Sequence, residues 1–181
     1  MRTTRSLILA AMIGGAAILA PMAVAATTPA GAAVPSCRGT QLAVSFAVVP
    51  GSAGAGNVSY ALRVRNVSAM TCSVSGLAGL QLLGRAGRRN PTHVTDANPG
   101  VTAVIVTLKP GVSAWADGRF SPDVPGLGET STGQCEPTSY KVSVAVPPRD
   151  DKVVGSIRPP TPVCEHGSVN LSLLGSKRPS F

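Results

Sequence analysis

The sequence predicts an all-β fold, and three features of the chain lead to that prediction. From residue 41 onward, apolar and polar residues alternate with a period of two, and no helical period appears there. Segments rich in Gly, Pro, Asn and Asp separate the alternating runs, as turns separate strands. Four cysteines make an even number. These features predict an antiparallel immunoglobulin-like β-sandwich of seven or eight strands with two disulfides, and a partly open barrel is the alternative.

The first two strands show the alternation most clearly. In QLAVSFAVV, residues 41–49, every second residue is a large apolar one. The same holds in NVSYALRVR, residues 57–65, where Arg63 and Arg65 fall on the opposite face. Such a pattern is typical of strands with one buried and one solvated face. The remaining strands are predicted, in order, at CSV (72–74), LQLL (80–83), VTAVIVTL (101–108), VSAWAD (112–117), YKVSVAV (140–146) and VNLSLL (169–174).

The amino-terminal segment has the organisation of a secretory signal peptide. Two arginines precede an uncharged apolar run over residues 6–20, and Ala23-Val24-Ala25 is an A-x-A cleavage signal. The domain boundaries that we predict are a signal peptide at 1–25, a disordered mature amino terminus at 26–36, one β-sandwich domain at 37–175 and a loose carboxy terminus at 176–181.

The alternatives for the amino-terminal segment are two kinds of membrane attachment. One is an uncleaved membrane anchor, which the cleavage signal disfavours. The other is a lipid anchor at Cys37, which the preceding Val34-Pro35-Ser36 disfavours because it is a poor lipid-attachment motif. No other segment is apolar enough to span a bilayer, so we expect a secreted protein that is extracellular or associated with the cell wall.

The four cysteines are interpreted as two structural disulfides. Sequence alone permits three pairings, and the positions of the turns favour one of them. A hairpin folded about PGSAGAGN, residues 50–57, brings Cys37 close to Cys72, and one folded about PPRDD, residues 147–151, brings Cys135 close to Cys164. A zinc site is disfavoured because the cysteines lack close C-x-x-C spacing. A nucleophilic Cys72 is disfavoured because its neighbours carry no charge that would lower its pKa.

Several segments in a fixed order resemble a known family. They are GSAGAGNVSYALRVRNVSAMTCSVSGLAGLQLL, LKPGVSAWADGRF, CEPTSYKVSVAVPP and VCEHGSVNLSLL. In this order they resemble the actinobacterial domain-of-unknown-function 4232 family of secreted or lipid-anchored envelope proteins. The chain departs from the family pattern at Gly76-Leu77-Ala78-Gly79 and in the place of its tryptophan, Trp115. The resemblance implies a β-sandwich and an envelope location, and it implies no activity.

The best candidate for partner binding is the basic segment LLGRAGRRNP. Arg85, Arg88 and Arg89 lie there on a predicted loop after a buried strand, and Arg63 and Arg65 are candidates to extend the patch. The chain carries a formal net charge of +8, which becomes +6 when Arg2 and Arg5 leave with the signal peptide, and this excess favours anionic polymers outside the cell. The alternative is a solvated basic loop that has no partner. Nucleic acid is disfavoured as a partner because aromatic residues make up only 3% of the chain.

Catalytic and metal-binding patterns are weak in this sequence. His93 and His166 both lie in turn-like segments, and no G-x-S-x-G motif is present. The Asp150-Asp151 pair falls short of the oxygen ligands that calcium needs. The sequence therefore predicts no catalytic residues, no metal ligands and no cofactor.

The function predicted from the sequence is non-catalytic. We expect a secreted module with a binding or structural role at the bacterial cell envelope, whose partner is an anionic cell-wall polymer or an extracellular protein. The first alternative is an inhibitor or ligand of an extracellular protein, and the second is a small secreted hydrolase. Clustering of His93 or His166 with carboxylates would favour the hydrolase.

Overall fold

The structure is a computed structural model that describes residues 33–181. It contains ten strands: β1 (Leu42–Val48), β2 (Val58–Asn66), β3 (Cys72–Val74), β4 (Gly79–Leu83), β5 (His93–Asp96), β6 (Val106–Leu108), β7 (Ser113–Phe120), β8 (Ser139–Val146), β9 (Asp151–Thr161) and β10 (Ser168–Leu171). A 3-10 turn (Gly39–Gln41) precedes β1, and a short turn, α1 (Cys164–Gly167), precedes β10. The predicted signal peptide lies outside the described residues. Within the described part, no helix has the length and apolar character to cross a membrane.

Eight of the ten strands form one mixed sheet in the order β4-β8-β9-β1-β2-β7-β10-β5, and β3 pairs with β6 in a small second sheet. Two pairs, β1 with β9 and β10 with β5, are parallel. The predicted mostly β fold is therefore confirmed. The predictions of an antiparallel arrangement throughout and of seven or eight strands are wrong, because β5 and β9 were not recognised as strands.

The two edge strands of the long sheet, β4 and β5, are consecutive in the chain. A short connection can join them only if the sheet curls and brings its edges together. The nine residues 84–92 connect β4 to β5, which lie at opposite ends of the strand order. Near this connection the Leu82 amide donates to the Thr92 hydroxyl at 3.0 Å, and the Asn90 amide donates to the Leu82 carbonyl at 3.0 Å. The edges of the sheet therefore approach each other at this end, as in a partly open barrel.

The alternating residues enclose one core. On β1 and β2 the alternate apolar side chains Phe46, Leu62 and Val64 are completely buried. The rings of Phe46 and Tyr60 lie 5.2 Å apart between centroids, a common aromatic packing distance. A Cβ on Gly118 would lie 2.7 Å from the Phe46 ring, so β7 needs a glycine there to admit that ring.

A second glycine permits the parallel pair of β1 and β9. A Cβ on Gly155 would lie 2.0 Å from the carbonyl oxygen of Val44, much closer than van der Waals contact allows. The strand would have to move away from β1 if any other residue stood there. Gly155 is thus a requirement of the close approach between the two backbones.

Both disulfides join the pairs that the turn positions predict. Cys37 bonds to Cys72 across 35 residues, and Cys135 bonds to Cys164 across 29 residues. The first links the chain before β1 to β3, and the second links the long β7–β8 connection to α1. Within residues 33–181 no cysteine is free.

Both ends of the described chain make specific contacts. At the amino-terminal end, the Cys37 amide donates to the Ser73 carbonyl and the Ser73 amide donates to the Pro35 carbonyl, each at 2.9 Å. At the other end, the amide and carbonyl of Gly175 pair with those of Trp115 at 2.8 Å. Of these residues only Pro35 lies in a predicted terminal segment, 26–36, and the composition of that segment gives no sign of its contact.

Candidate functional site

The predicted arginine loop is a tight turn after β4. The Gly84 amide donates to the Arg88 carbonyl at 2.7 Å, and the Gly87 amide donates to the Gly84 carbonyl at 2.9 Å. Gly87 has a positive φ of 80°, which glycine adopts without strain. The turn therefore presents Arg85, Arg88 and Arg89, all exposed, on the connection between the two edges of the sheet.

Two of the three guanidinium groups are held by neighbouring polar or aromatic side chains. Arg85 stacks on Tyr140 with its Cζ 4.3 Å from the ring centroid, and its Nη2 donates to the tyrosine hydroxyl at 3.0 Å. Arg89 donates from Nε at 2.9 Å and from Nη2 at 2.6 Å to the side-chain oxygen of Gln81. Because Tyr140 and Gln81 are uncharged, they orient the guanidiniums and leave their positive charge in place.

The buried side chain of Asn90 fixes the base of the loop. Its Nδ2 donates to the Ser139 hydroxyl at 2.9 Å and to the Pro137 carbonyl at 3.1 Å. The loop is thereby attached to the start of β8, the strand that also carries Tyr140. The position of the arginines is set by this attachment as well as by the turn.

A groove of about 560 Å³ lies beside the loop on the outer face of β4, β8 and β9. Arg89 and Lys152 supply its positive charge, and Leu83, Ala145 and Val154 are among its apolar lining residues. No carboxylate is among the residues that line it. We call the loop and this groove together the arginine groove.

The arginine groove is electrostatically suited to anions. Within residues 33–181, Arg85, Arg88 and Arg89 form no salt bridge with a carboxylate. A guanidinium has five N–H donors, so Arg85 and Arg89 keep donors for a further acceptor after their bonds to Tyr140 and Gln81. Phosphate and carboxylate groups match the planar fork of such donors.

Arg63 and Arg65 do not extend this surface. They lie on β2, and the strands β8, β9 and β1 separate β2 from β4 in the sheet. Arg63 donates from Nε to the Ser113 hydroxyl at 2.9 Å, and Arg65 donates from Nε to the Gly111 carbonyl at 3.2 Å. The arginines of the predicted patch are therefore divided between two surfaces, with Arg85, Arg88 and Arg89 on one and Arg63 and Arg65 on the other.

The two histidines also lie apart in the fold. His93 is exposed on β5, whereas His166 lies in α1 beside two carboxylates. The Nδ1 of His166 is 3.6 Å from Glu129 Oε1 and 3.9 Å from Glu136 Oε1. Its Nε2 lies 3.0 Å from the Leu127 carbonyl, which can only accept, so this nitrogen carries a hydrogen. His166 thus meets the clustering condition set for a hydrolase, and His93 does not.

Glu129 acts mainly as an acceptor for the backbone. Its carboxylate accepts the Gly126 amide at 2.6 Å, the Glu165 amide at 2.9 Å and the amide of His166. These three bonds outweigh the opposing effect of desolvation and lower the pKa of Glu129 to about 2. Glu165 and His166 both have positive φ values of 56°, and the carboxylate holds this left-handed turn in place.

The pKa of Glu136, the second carboxylate of this cluster, is shifted in the opposite direction. Burial, followed by the hydrogen bond and repulsion from Glu129, raises the pKa of Glu136, and His166 partly opposes that shift. Glu129, Glu136 and His166 could each direct one ligand atom at a metal, with these atoms within 4.8 Å of one another. Glu129 already accepts three N–H groups, one from Gly126 and two from α1. Its carboxylate therefore attaches the β7–β8 connection to α1.

Sequence reasoning missed the groups that organise both clusters. Tyr140 and Gln81 stand in predicted strands, and nothing in their local sequence links them to arginines on a loop. Glu129 lies in a Gly- and Thr-rich segment, where a single carboxylate gives no signal. The sequence did offer one partial indication. The predicted Cys135–Cys164 disulfide brings His166, two residues after Cys164, toward the segment that contains both Cys135 and Glu129.

Comparison with known proteins leaves the activity open and identifies the family. No curated protein matches the chain, and no solved structure matches it. A family model described as Domain of unknown function (DUF4232) matches residues 37–173. This range contains all four cysteines, the arginine groove and the group of Glu129, Glu136 and His166, which we call the His166 cluster. The protein therefore belongs to the DUF4232 family.

Proposed function

We propose that this protein is a secreted, non-catalytic module that binds an anionic polymer of the actinobacterial cell envelope through the arginine groove. Its framework in this proposal is an immunoglobulin-like β-sandwich that carries the binding loop at the edge of its curled sheet. Loops on rigid β frameworks are frequent sites of recognition. The single observation that carries the proposal is three guanidiniums on one loop, two of them oriented by uncharged partners and none paired with a carboxylate among the described residues.

Secretion is supported by two independent features. The first is the signal-peptide pattern of residues 1–25. The second is the pair of disulfides, which form and persist in oxidising compartments. A positively charged secreted protein would meet phosphate- and carboxylate-bearing polymers at the cell wall, and these supply the acceptors that arginine binds best.

The lack of catalysis is supported by the chemistry of the His166 cluster. A general base needs a lone pair that can take a proton from a substrate. Both oxygens of Glu129 are occupied by backbone amides, and its side chain is only 3% exposed. Glu129, the carboxylate nearest His166, is therefore suited to a structural role rather than to proton transfer.

The test is co-sedimentation of the oxidised protein with purified cell-wall sacculi. Wild type is compared with an Arg85→Ser/Arg88→Ser/Arg89→Ser variant between about 0.01 M and about 0.15 M salt. We expect the variant to bind about tenfold more weakly at low salt, since three exposed ionic contacts are each worth about 0.5 kcal/mol. Wild-type binding should weaken as salt rises, because ions screen exposed charges.

A matched variant controls for net charge alone. Lys109, Arg149 and Arg158 are exposed cations outside the arginine groove, and changing all three to Ser removes the same charge. This control should sediment nearly as wild type does. Equal losses in both triple variants, or no sedimentation of wild type at low salt, would refute the proposal. Salt-insensitive binding that survives in both variants would also refute the proposal, because binding by exposed cations must weaken as ions screen them.

A further inference from the structure

A second cluster of charged and aromatic residues lies on the other basic surface, around β2 and β7. Trp115 stands on β7 beside Arg63 of β2, with which it is in register. The chain after β10 returns to this place, because the amide and carbonyl of Gly175 pair with those of Trp115. Lys177 and Arg178 are thereby brought beside the same tryptophan. We call Arg63, Trp115, Asp117, Lys177 and Arg178 the Trp115 cluster.

The cations of this cluster are positioned around the indole ring. The Cζ atoms of Arg63 and Arg178 each lie 5.4 Å from the ring centroid, within the range of cation–π attraction. Neither guanidinium forms a salt bridge with a carboxylate in the described chain. Trp115, Asp117, Lys177 and Arg178 line one open groove of about 530 Å³. The groove therefore presents the Arg178 guanidinium, which the indole ring orients, and the Lys177 ammonium to an anionic group, whereas Arg63 packs against the ring and does not line the groove.

One atom of the cluster needs a hydrogen-bond donor that the described chain does not supply. Asp117 Oδ1 is the single buried side-chain polar atom without a partner in residues 33–181. The other oxygen accepts from the Ser59 hydroxyl at 3.4 Å, a long bond. Burial raises the pKa of Asp117, and Ser59 and Arg119 partly oppose that shift. Asp117 lines the groove but Oδ1 itself is buried, so a hydroxyl in the groove reaches this oxygen once the carboxyl turns about its soft χ2 torsion.

Anion binding alone does not account for this arrangement. A carboxylate repels a simple phosphate, whereas it accepts hydrogen bonds from hydroxyl groups. A buried acceptor without a partner is unusual and calls for a donor from water or ligand. The groove thus offers donors for an anion and an acceptor for a hydroxyl side by side.

We propose that the Trp115 cluster is a second binding site, specific for a polyol phosphate, in which Lys177 and Arg178 bind the phosphate and Asp117 accepts a hydroxyl. This inference rests on the proposed function, because it names the repeating unit of the polymer that the protein is proposed to bind. A polymer of polyol phosphate units would supply both groups in each repeat. The two basic surfaces would then contact such a polymer at separate places.

The test uses the fluorescence of Trp115, the only tryptophan of the chain. Three probes are titrated at constant ionic strength: glycerol 3-phosphate, inorganic phosphate and glycerol. We expect a saturable change with glycerol 3-phosphate at a midpoint about tenfold lower than with inorganic phosphate, because a hydroxyl bond to a charged acceptor is added. Glycerol alone should give no saturable change.

Variants separate the two halves of the site. Asp117→Ala should bring the midpoints for glycerol 3-phosphate and inorganic phosphate together, and Arg178→Gln should raise both. Lys177→Gln, at an exposed position, should also raise both midpoints and tests the site if Asp117→Ala does not fold. Arg158→Gln, an exposed cation outside the groove, serves as the matched control and should change neither midpoint.

Two results would overturn the inference: no saturable change in wild type, or equal midpoints for glycerol 3-phosphate and inorganic phosphate in wild type. Failure of the proposed function gives a different result, because the arginine groove contains no tryptophan. If the loop variant sediments with sacculi like wild type while Trp115 responds as expected, the proposed function fails and the second site stands. If sedimentation depends on the loop and Trp115 gives either overturning result, only this inference fails.

Discussion

The ladder of β1, β2 and β7 and the connection between β7 and β8 are held together in opposite ways. In the ladder, β1 pairs with β2 from Leu42↔Asn66 to Val48↔Tyr60, and β2 pairs with β7 from Val58↔Phe120 to Arg65↔Ser113. Its inner face carries the aromatic core. Stability there is spread over many backbone bonds and over the burial of large apolar side chains.

The connection, residues 121–138, has no regular secondary structure. It is attached to α1 by the Cys135–Cys164 disulfide, by the Glu129 carboxylate and by the bond from the Cys164 amide to the Ser121 carbonyl at 2.9 Å. Leu127 within it is 99% exposed, so apolar burial contributes little at that point. Its conformation therefore depends on a few individual groups.

The difference shows where single substitutions should act globally and where they should act locally. A change in the ladder disturbs a core shared by many strands, so the whole domain should lose stability. A change in the connection removes one attachment of a segment that can open by itself. Three predictions test this contrast.

The largest effect is expected for Phe46→Ala. Phe46 is completely buried between Tyr60 and Phe120, and its removal should lower the free energy of unfolding by about 4 kcal/mol, through lost burial and the cavity left behind. Urea unfolding measures this loss. Ser45→Ala, on the opposite face of the same strand, should change stability by less than about 0.5 kcal/mol. A small effect of Phe46→Ala would contradict the idea of one shared core.

An intermediate effect is expected for Cys135→Ala/Cys164→Ala. The bond closes a loop with a sequence separation of 29 residues, and chain entropy assigns it about 3.5 kcal/mol at most. We expect rapid proteolysis within 121–138 and a smaller fall in the urea midpoint than for Phe46→Ala. The matched control is Cys37→Ala/Cys72→Ala, with a separation of 35 residues, which should leave 121–138 as protected as in wild type. Equal cleavage of that segment in both variants would contradict a local role for the second disulfide.

The smallest effect is expected for Glu129→Gln, and it should depend on pH. The folded-state pKa of Glu129, about 2, lies below its ordinary value of 4.5, so the unfolded chain binds the proton more readily. The stabilisation is therefore complete above about pH 4.5 and is lost as the pH falls toward 2. The urea midpoint of Glu129→Gln should be below that of wild type at neutral pH, and the two should converge in acid. A gap that stays constant with pH would show that the carboxylate charge is not what holds the turn.

The sequence located much of the candidate binding surface but could not describe its geometry. The Arg85, Arg88 and Arg89 loop was predicted from charge and from its place after a buried strand. The partners Tyr140 and Gln81 were not predictable, because Tyr140 is 55 residues from Arg85 and pairing between strands brings them together. The grouping of Arg63 with this loop was wrong as an expectation, since strand order places β2 elsewhere in the sheet.

Strand prediction failed where local pattern and tertiary pairing disagree. VTAVIVTL is predicted as one strand over residues 101–108, yet only Val106–Leu108 is a strand and Ile105 is 76% exposed, because residues 101–105 have no neighbouring strand. The opposite occurs in β9, where Gly155 and two prolines give a poor strand pattern. The backbone is extended there because β8 and β1 pair with it on both sides.

By itself, the sequence determined that this protein is built of strands with one shared core and two disulfides. It could do so because alternation, turn residues and cysteine spacing act over short distances along the chain. Only the tertiary structure decided the strand order, the parallel pairs, the contact of Glu129 with α1 and the separation of Arg63 and Arg65 from the loop of Arg85, Arg88 and Arg89. Each of these depends on which distant segments come into contact, and the free energy of such contacts is shared among residues that carry no local mark of it.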